Sequence, residues 1–147
     1  MSQVPRLFSV EEANALVPHL QVELAEVAKL RGELTAAIEA LGGADTAVAI
    51  LQKGAPAPAG KEPEAALLKH LAARIQEVVA RISALGAIVK DLEAGLVDFY
   101  SLMNGEPVFL CWQLGEPVVA YWHPVDEGFA GRQPIEGAEY PQPQFPN

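Results

Sequence analysis

The sequence predicts an α+β fold: a long antiparallel, heptad-patterned helical hairpin packed on a small three-stranded antiparallel meander, with an irregular Pro/Gly-rich C-terminal tail. Three observations predict it. Apolar residues recur in alternating steps of three and four over residues 13–41 and again over 68–92. After Gly95 the apolar period changes to two, and Asn104-Gly105, the strongest hairpin dipeptide in the chain, falls inside the alternating stretch.

The first helix is expected over about residues 10–41. Ser9 and Glu12 form a capping box, with Phe8 and Ala13 as the hydrophobic staple. The apolar seam then runs Ala13, Val17, Leu20, Leu24, Val27, Arg31, Leu34, Ile38 and Leu41, interrupted only by Arg31. Pro18 lacks the amide that would bond the Asn14 carbonyl, so a kink is expected there. Gly42 and Gly43 end the helix. The second helix is expected over about 63–94, with Pro63 in its first turn and a seam of Leu68, Leu71, Ile75, Val78, Ile82, Leu85, Val89 and Leu92. Each helix would be about 45 Å long at about 1.5 Å per residue, and needs a partner to cover its seam. Residues 42–62, rich in Ala, Gly and Pro with one short apolar run at 47–51, read as a mobile connector with room for one helical turn. On this reading residues 1–134 form a single domain, with hairpin 10–94, sheet 96–123 and loop 124–134. Residues 135–147 are a Pro-rich tail.

In the sheet, a two-residue turn at Asn104-Gly105 pairs Ser101 with Val108, Phe99 with Leu110 and Asp98 with Cys111. A turn around Gly115-Glu116 then pairs Cys111 with Ala120 and Val108 with His123. In that register Val97, Phe99, Ser101, Val108, Leu110, Trp112, Tyr121 and His123 share one face. Asp98, Tyr100, Phe109, Cys111, Ala120 and Trp122 share the other. Cys111 and His123 therefore point to opposite sides, and only a one-residue slip would bring them together.

The 147-residue chain carries a net charge of −9, very unevenly placed. Residues 1–90 hold ten acids and nine bases; residues 91–147 hold nine acids and one base, Arg132. An acidic third repels phosphate backbones, so no nucleic-acid partner is expected, and a cation or a basic protein patch fits better. No apolar stretch approaches 20 residues, so no membrane span is expected. The first residues lack the pattern of a secretion signal and the chain has a single cysteine; a cytoplasmic location is expected.

Candidate sites are few. Cys111, within a strand and opposite a carboxylate, reads as a small buried hydrophobe. Arg132, the one base in the acidic third, is expected to pair with Asp98 or Glu116, and these three form a candidate polar cluster, structural or ligand-binding. His123, Asp126 and Glu127 are weak metal candidates, since one short segment holds all three and their spacing matches no zinc or calcium frame. His19 and His70 fall outside the seams and read as solvated. No phosphate loop or nucleophile elbow appears, no catalytic residue is assigned and no cofactor is expected.

The segments "FSVEEANALVPHL" (8–20), "VKDLEAGLVDF" (89–99), "VFLCWQLGEPVVAYWH" (108–123) and "GFAGRQP" (128–134) resemble a bacterial family known as domain of unknown function 2203. The resemblance implies a small cytoplasmic bacterial protein without an established activity, and supplies no catalytic residues. Two functions stand at this point. The favoured one is a non-catalytic homo-oligomeric interaction or binding module, a homodimer whose acidic third meets a basic protein or a cation. Aromatics on both sheet faces support it, because one helical hairpin covers only one face. The alternative is a metal- or small-ligand-binding enzyme that uses Asp98, Glu116, His123, Asp126, Glu127 and Arg132. Convergence of at least three of those six in one cleft would favour it.

Overall fold

The structure, a computed structural model, describes residues 6–135. It is α+β, with elements in the order α1 (Val10–Ala40), α2 (Ala44–Lys53), α3 (Glu62–Ala84), β1 (Ile88–Asp91), β2 (Leu96–Met103), β3 (Glu106–Gln113), β4 (Tyr121–Pro124) and β5 (Gln133–Pro134). Apart from Ile135, the Pro-rich tail expected at 135–147 lies outside the described residues. Two compact units are divided after Leu24 and again after Ala80.

The unit over 25–80 is helical. Its part of α1 ends where the Gly43 amide donates to the Ile38 carbonyl and Gly42 takes a φ of +102°. The connector expected to be mobile contains α2, ten residues long, which buries Ala47 and Ile50 and is capped by left-handed Gly54. The short run Ala47–Leu51 is apolar enough to bury one helical face, and that is why it folds. Arg74 of α3 bonds Glu26 of α1. Buried positions along the whole of α1 depart from a strict heptad: Leu30 and Ala37 are buried, while Arg31 and Ile38 are intermediate. The buried stripe at these two positions therefore lies one residue before the expected seam, while Ala13, Val17, Leu20, Leu24 and Val27 are buried as expected.

The other unit joins the start of α1 and the end of α3 to the sheet. The capping box forms as written, with Ser9 N donating to Glu12 Oε1 at 2.9 Å and Glu12 N to Ser9 Oγ at 3.0 Å. Phe8 and Ala13 are both buried. Arg81 on the last turns of α3 grips Glu23 with two hydrogen bonds of 3.1 and 2.8 Å.

The helix expected to reach residue 94 stops at Ala84, a correction with a local cause. Gly86 adopts a φ of +97°, and a Cβ there would meet Arg6 at 3.0 Å and Phe8 at 3.1 Å. Only glycine suits the position, and the chain leaves it as a strand through Ile88 and Val89.

The sheet is five-stranded and antiparallel, in the order β1-β2-β3-β4-β5, and not the three-stranded meander expected. The extra strands are the residues once assigned to the second helix and the short segment before Ile135. The β2–β3 hairpin has the register read from Asn104-Gly105: Asp98 opposite Cys111, Phe99 opposite Leu110, Ser101 opposite Val108. Both turn residues have positive φ, +54° and +82°. Val97, Phe99, Ser101, Val108, Leu110 and Trp112 are all buried on the inner face. Phe8 meets Phe99 edge-on at 5.2 Å, and Ser101 Oγ donates to the Phe8 carbonyl.

Strand β4 departs from the expected register. Cys111 lies opposite Tyr121, not Ala120, and Phe109 opposite His123. The cause is the connection between β3 and β4, which is longer than a tight turn. Glu116 Oε1 accepts from the Gln113 amide, and the Trp112 indole donates to the Glu116 carbonyl. The Val119 amide then donates to Asn14 Oδ1 of α1 at 2.7 Å. Val119 and Ala120 are buried and do not pair with β3, so β4 begins at Tyr121 and its pairing with β3 is shifted by one residue from the expected one. The slip turns Tyr121 and His123 to the outer face and Trp122 to the inner one.

Candidate functional site

With that register, Asp98, Cys111 and His123 share the outer face on three adjacent strands. All three are buried, Asp98 and His123 at 2% exposure, and their ligating atoms lie within 4.8 Å of one another. The reading that Cys111 and His123 point apart is thus corrected by the one-residue slip.

The histidine ring lies between two acceptors. Nδ1 is 2.8 Å from the Pro124 carbonyl and Nε2 is 2.9 Å from Asp98 Oδ2. A neutral imidazole carries one N–H, which satisfies one of them. The second contact requires an additional proton, on the ring or on the carboxyl, or a cation between Nε2 and Oδ2. Asp98 Oδ1 is buried and has no hydrogen-bond partner among the described residues. At the edge of the cluster Lys90 Nζ lies 3.9 Å from Asp98 Oδ2 and 4.5 Å from the centre of the Phe109 ring. Phe109 packs on the His123 ring at 5.5 Å. Burial pushes the Cys111 thiol up to about 12, and the Asp98 charge adds to it, while Arg132 works the other way.

A second polar group adjoins the first. Arg132 donates to both Glu116 oxygens at 2.7 Å and to the Cys111 carbonyl at 3.1 Å. Its guanidinium lies over the rings of Tyr121 and Phe129, at 4.2 and 4.5 Å. Burial works against the arginine's charge, but Glu116 and Cys111 together outweigh it and hold the group above its ordinary value. A 3-10 turn, Phe129–Gly131, positions the side chain.

Of the expected site residues, Asp98 and His123 meet each other and Glu116 meets Arg132. Cys111 stands between the two pairs, its side chain near the first and its carbonyl bound by the second. Asp126 and Glu127 do not join His123: both are exposed in the turn after β4, while the imidazole points inward to Asp98. His19 and His70 are exposed on α1 and α3. Sequence reasoning missed Lys90, assigned to a helix, and missed the link from Cys111 to His123. Asn14, which holds Val119 out of the ladder, was the available signal, a carboxamide on an amphipathic helix near its buried stripe.

The geometry limits the chemistry. A cysteine nucleophile needs a base hydrogen-bonded to its thiol, and the close partners of the two His123 nitrogens are the Pro124 carbonyl and Asp98 Oδ2, not Cys111 Sγ. The donor set of one thiol, one imidazole and one carboxylate suits borderline transition ions and not hard ones such as magnesium or calcium.

No curated protein and no solved structure matches the chain. Among protein families, the one described as "Uncharacterized conserved protein (DUF2203)" matches residues 6–135, which takes in all three α-helices, the whole sheet and every residue of the polar cluster. The chain belongs to that uncharacterised conserved family, domain of unknown function 2203.

Proposed function

We propose that this chain is a non-catalytic binding module that pairs with a second copy of itself through the outer face of its sheet. One observation carries the reading. Beside the buried cluster, the outer face presents Tyr100, Leu102, Pro107 and Phe109 in adjacent positions, with Leu102 53% exposed and Pro107 also exposed. Tyr100 and Phe109 are only half-buried, their rings 5.4 Å apart. An apolar row of this kind is a contact surface.

The charges next to it are compensated within the chain, Asp98 by His123 and Lys90 and Glu116 by Arg132. Two copies of a strongly acidic chain can therefore oppose these faces without opposing bare like charges, and a closed twofold pair is the commonest outcome. Exposed Glu106, Asp126 and Glu127 remain outside the apolar row, where a basic protein or a cation would meet them. Among the described residues no single helix is long and apolar enough to cross a membrane, and we place the module in the cytoplasm. The enzyme reading has less support: four of its six groups are closed on one another in two pairs, and the other two are solvated.

Light scattering tests the proposal. The expected mass is twice the 15.7 kDa of one chain, falling to one chain in Leu102→Glu. A wild-type mass of one chain contradicts it.

A further inference from the structure

We propose that Asp98, Cys111 and His123 form a binding site for a divalent transition-metal ion of the zinc type, held by Asp98 oxygen, Cys111 Sγ and His123 Nε2.

Four features of the cluster support this. The first is the donor set: thiolate, imidazole and carboxylate together select zinc-like ions over hard cations and over purely thiophilic ones. The second is spacing. Ligands around a tetrahedral zinc at about 2.0–2.3 Å lie about 3.3–3.8 Å from one another. The three donor atoms all lie within 4.8 Å of one another, close to that spacing. The third is the histidine's second nitrogen. With Nδ1–H donating to the Pro124 carbonyl, Nε2 carries the lone pair, 2.9 Å from Asp98 Oδ2 and within 4.8 Å of Cys111 Sγ. A backbone carbonyl behind the ring is the outer-shell arrangement that metal-ligating histidines use. The fourth is Asp98 Oδ1, buried and without a partner among the described residues. A cation beside the carboxylate satisfies both this oxygen and the acceptor-facing Nε2, which protonation of one atom does not.

Lys90 is the competitor. Its ammonium sits 3.9 Å from Asp98 Oδ2, occupying part of the positive potential that a metal would supply. The side chain is 41% exposed and flexible, so it can swing outward as the ion enters. Binding releases the thiol proton and any proton shared between Nε2 and Oδ2 to solvent, and the ion's two positive charges are then balanced by the thiolate and the carboxylate. Asp126 and Glu127 take no part.

Cobalt(II) added to the full chain is the probe, because Cys111 is the only cysteine and any cobalt–thiolate charge-transfer band must come from it. The expected result is one Co2+ per chain with that band in the near ultraviolet, abolished by a stoichiometric amount of Zn2+. Cys111→Ser should remove the band and weaken Zn2+ binding by more than about 100-fold, beyond the loss typical of an outer-shell change. Asp126→Asn with Glu127→Gln should leave both unchanged. Should Cys111→Ser not fold, the wild-type band alone decides. Absence of a thiolate band, even after refolding in the presence of Co2+, overturns the proposal. Zn2+ affinity that is undiminished in Cys111→Ser, or that is lost with the Asp126 and Glu127 changes, also overturns it.

Discussion

The two faces of the sheet are built from the same three strands by different physics. The inner face is apolar throughout, and its members are buried whichever neighbours they meet: Val97, Phe99, Val108, Leu110 and Trp112 need only the period-two alternation and the hairpin turn. The outer face carries Asp98, Cys111 and His123, with Arg132 laid over Tyr121 from the 3-10 turn before β5, and their burial is tolerable only if each finds a specific partner. A one-residue error in strand register exchanges one apolar neighbour for another on the inner face. On the outer face it separates His123 from Asp98 and strands both. Packing defines the first face, and register defines the second.

Truncating the inner face should have the largest effect. Phe99→Ala removes a fully buried ring that meets Phe8, and should cost about 3–5 kcal/mol in denaturant unfolding. On the outer face, Arg132→Ala leaves Glu116 and the Cys111 carbonyl without their donor and should cost about 2–3 kcal/mol. Arg132→Lys should recover less than half of that, since a single ammonium cannot reproduce the two-pronged grip on Glu116. A loss below about 1 kcal/mol for Arg132→Ala would make this pair an ordinary surface contact.

The thiol gives a smaller, pH-dependent effect. Because burial raises its folded value from 9.0 to about 12, the folded chain holds this proton more tightly than the unfolded chain. Its contribution is full below pH 9 and is lost as pH rises through the folded value. Between those limits the wild type should lose stability faster than Cys111→Ala, by up to about 1.4 kcal/mol per pH unit. Equal slopes would mean the thiol is solvated. Smallest of all is the helix pair Arg81–Glu23, half-exposed on the arginine side. The arginine holds the Glu23 carboxyl below its ordinary value, against the desolvation that raises it. That stabilisation is present above pH 4.5 and lost as acid titrates the depressed group; Arg81→Ala should cost under about 1 kcal/mol at neutral pH.

The same contrast explains what could be read from the sequence. The capping box at Ser9 and Glu12, the inner-face residues of β2 and β3 and the Asn104-Gly105 turn are local signals, each decided within a few residues. The end of α3 was misread because Val89 and Leu92 continue an apolar period of three and four. What stops the helix is Gly86 pressed against Phe8, a contact between residues far apart in the chain. The register of β4 was misread for a similar reason, since Asn14 of α1 fixes Val119 across 105 positions of sequence. The Glu116–Arg132 pair could be narrowed to two carboxylates by charge alone, as Arg132 is the only base after Lys90. The Asp98–Cys111–His123 cluster could not, because it exists only in the slipped register.

The central claim is that this register places His123 against Asp98 inside the sheet. A double-mutant cycle with Asp98→Ala, His123→Ala and the double variant, measured by denaturant unfolding at neutral pH, tests it directly. The account predicts a coupling energy of about 2–3 kcal/mol, with the double variant far less destabilised than the sum of the single ones. Additive losses, within about 0.5 kcal/mol, would mean that the two side chains do not meet and that β4 keeps the unslipped register.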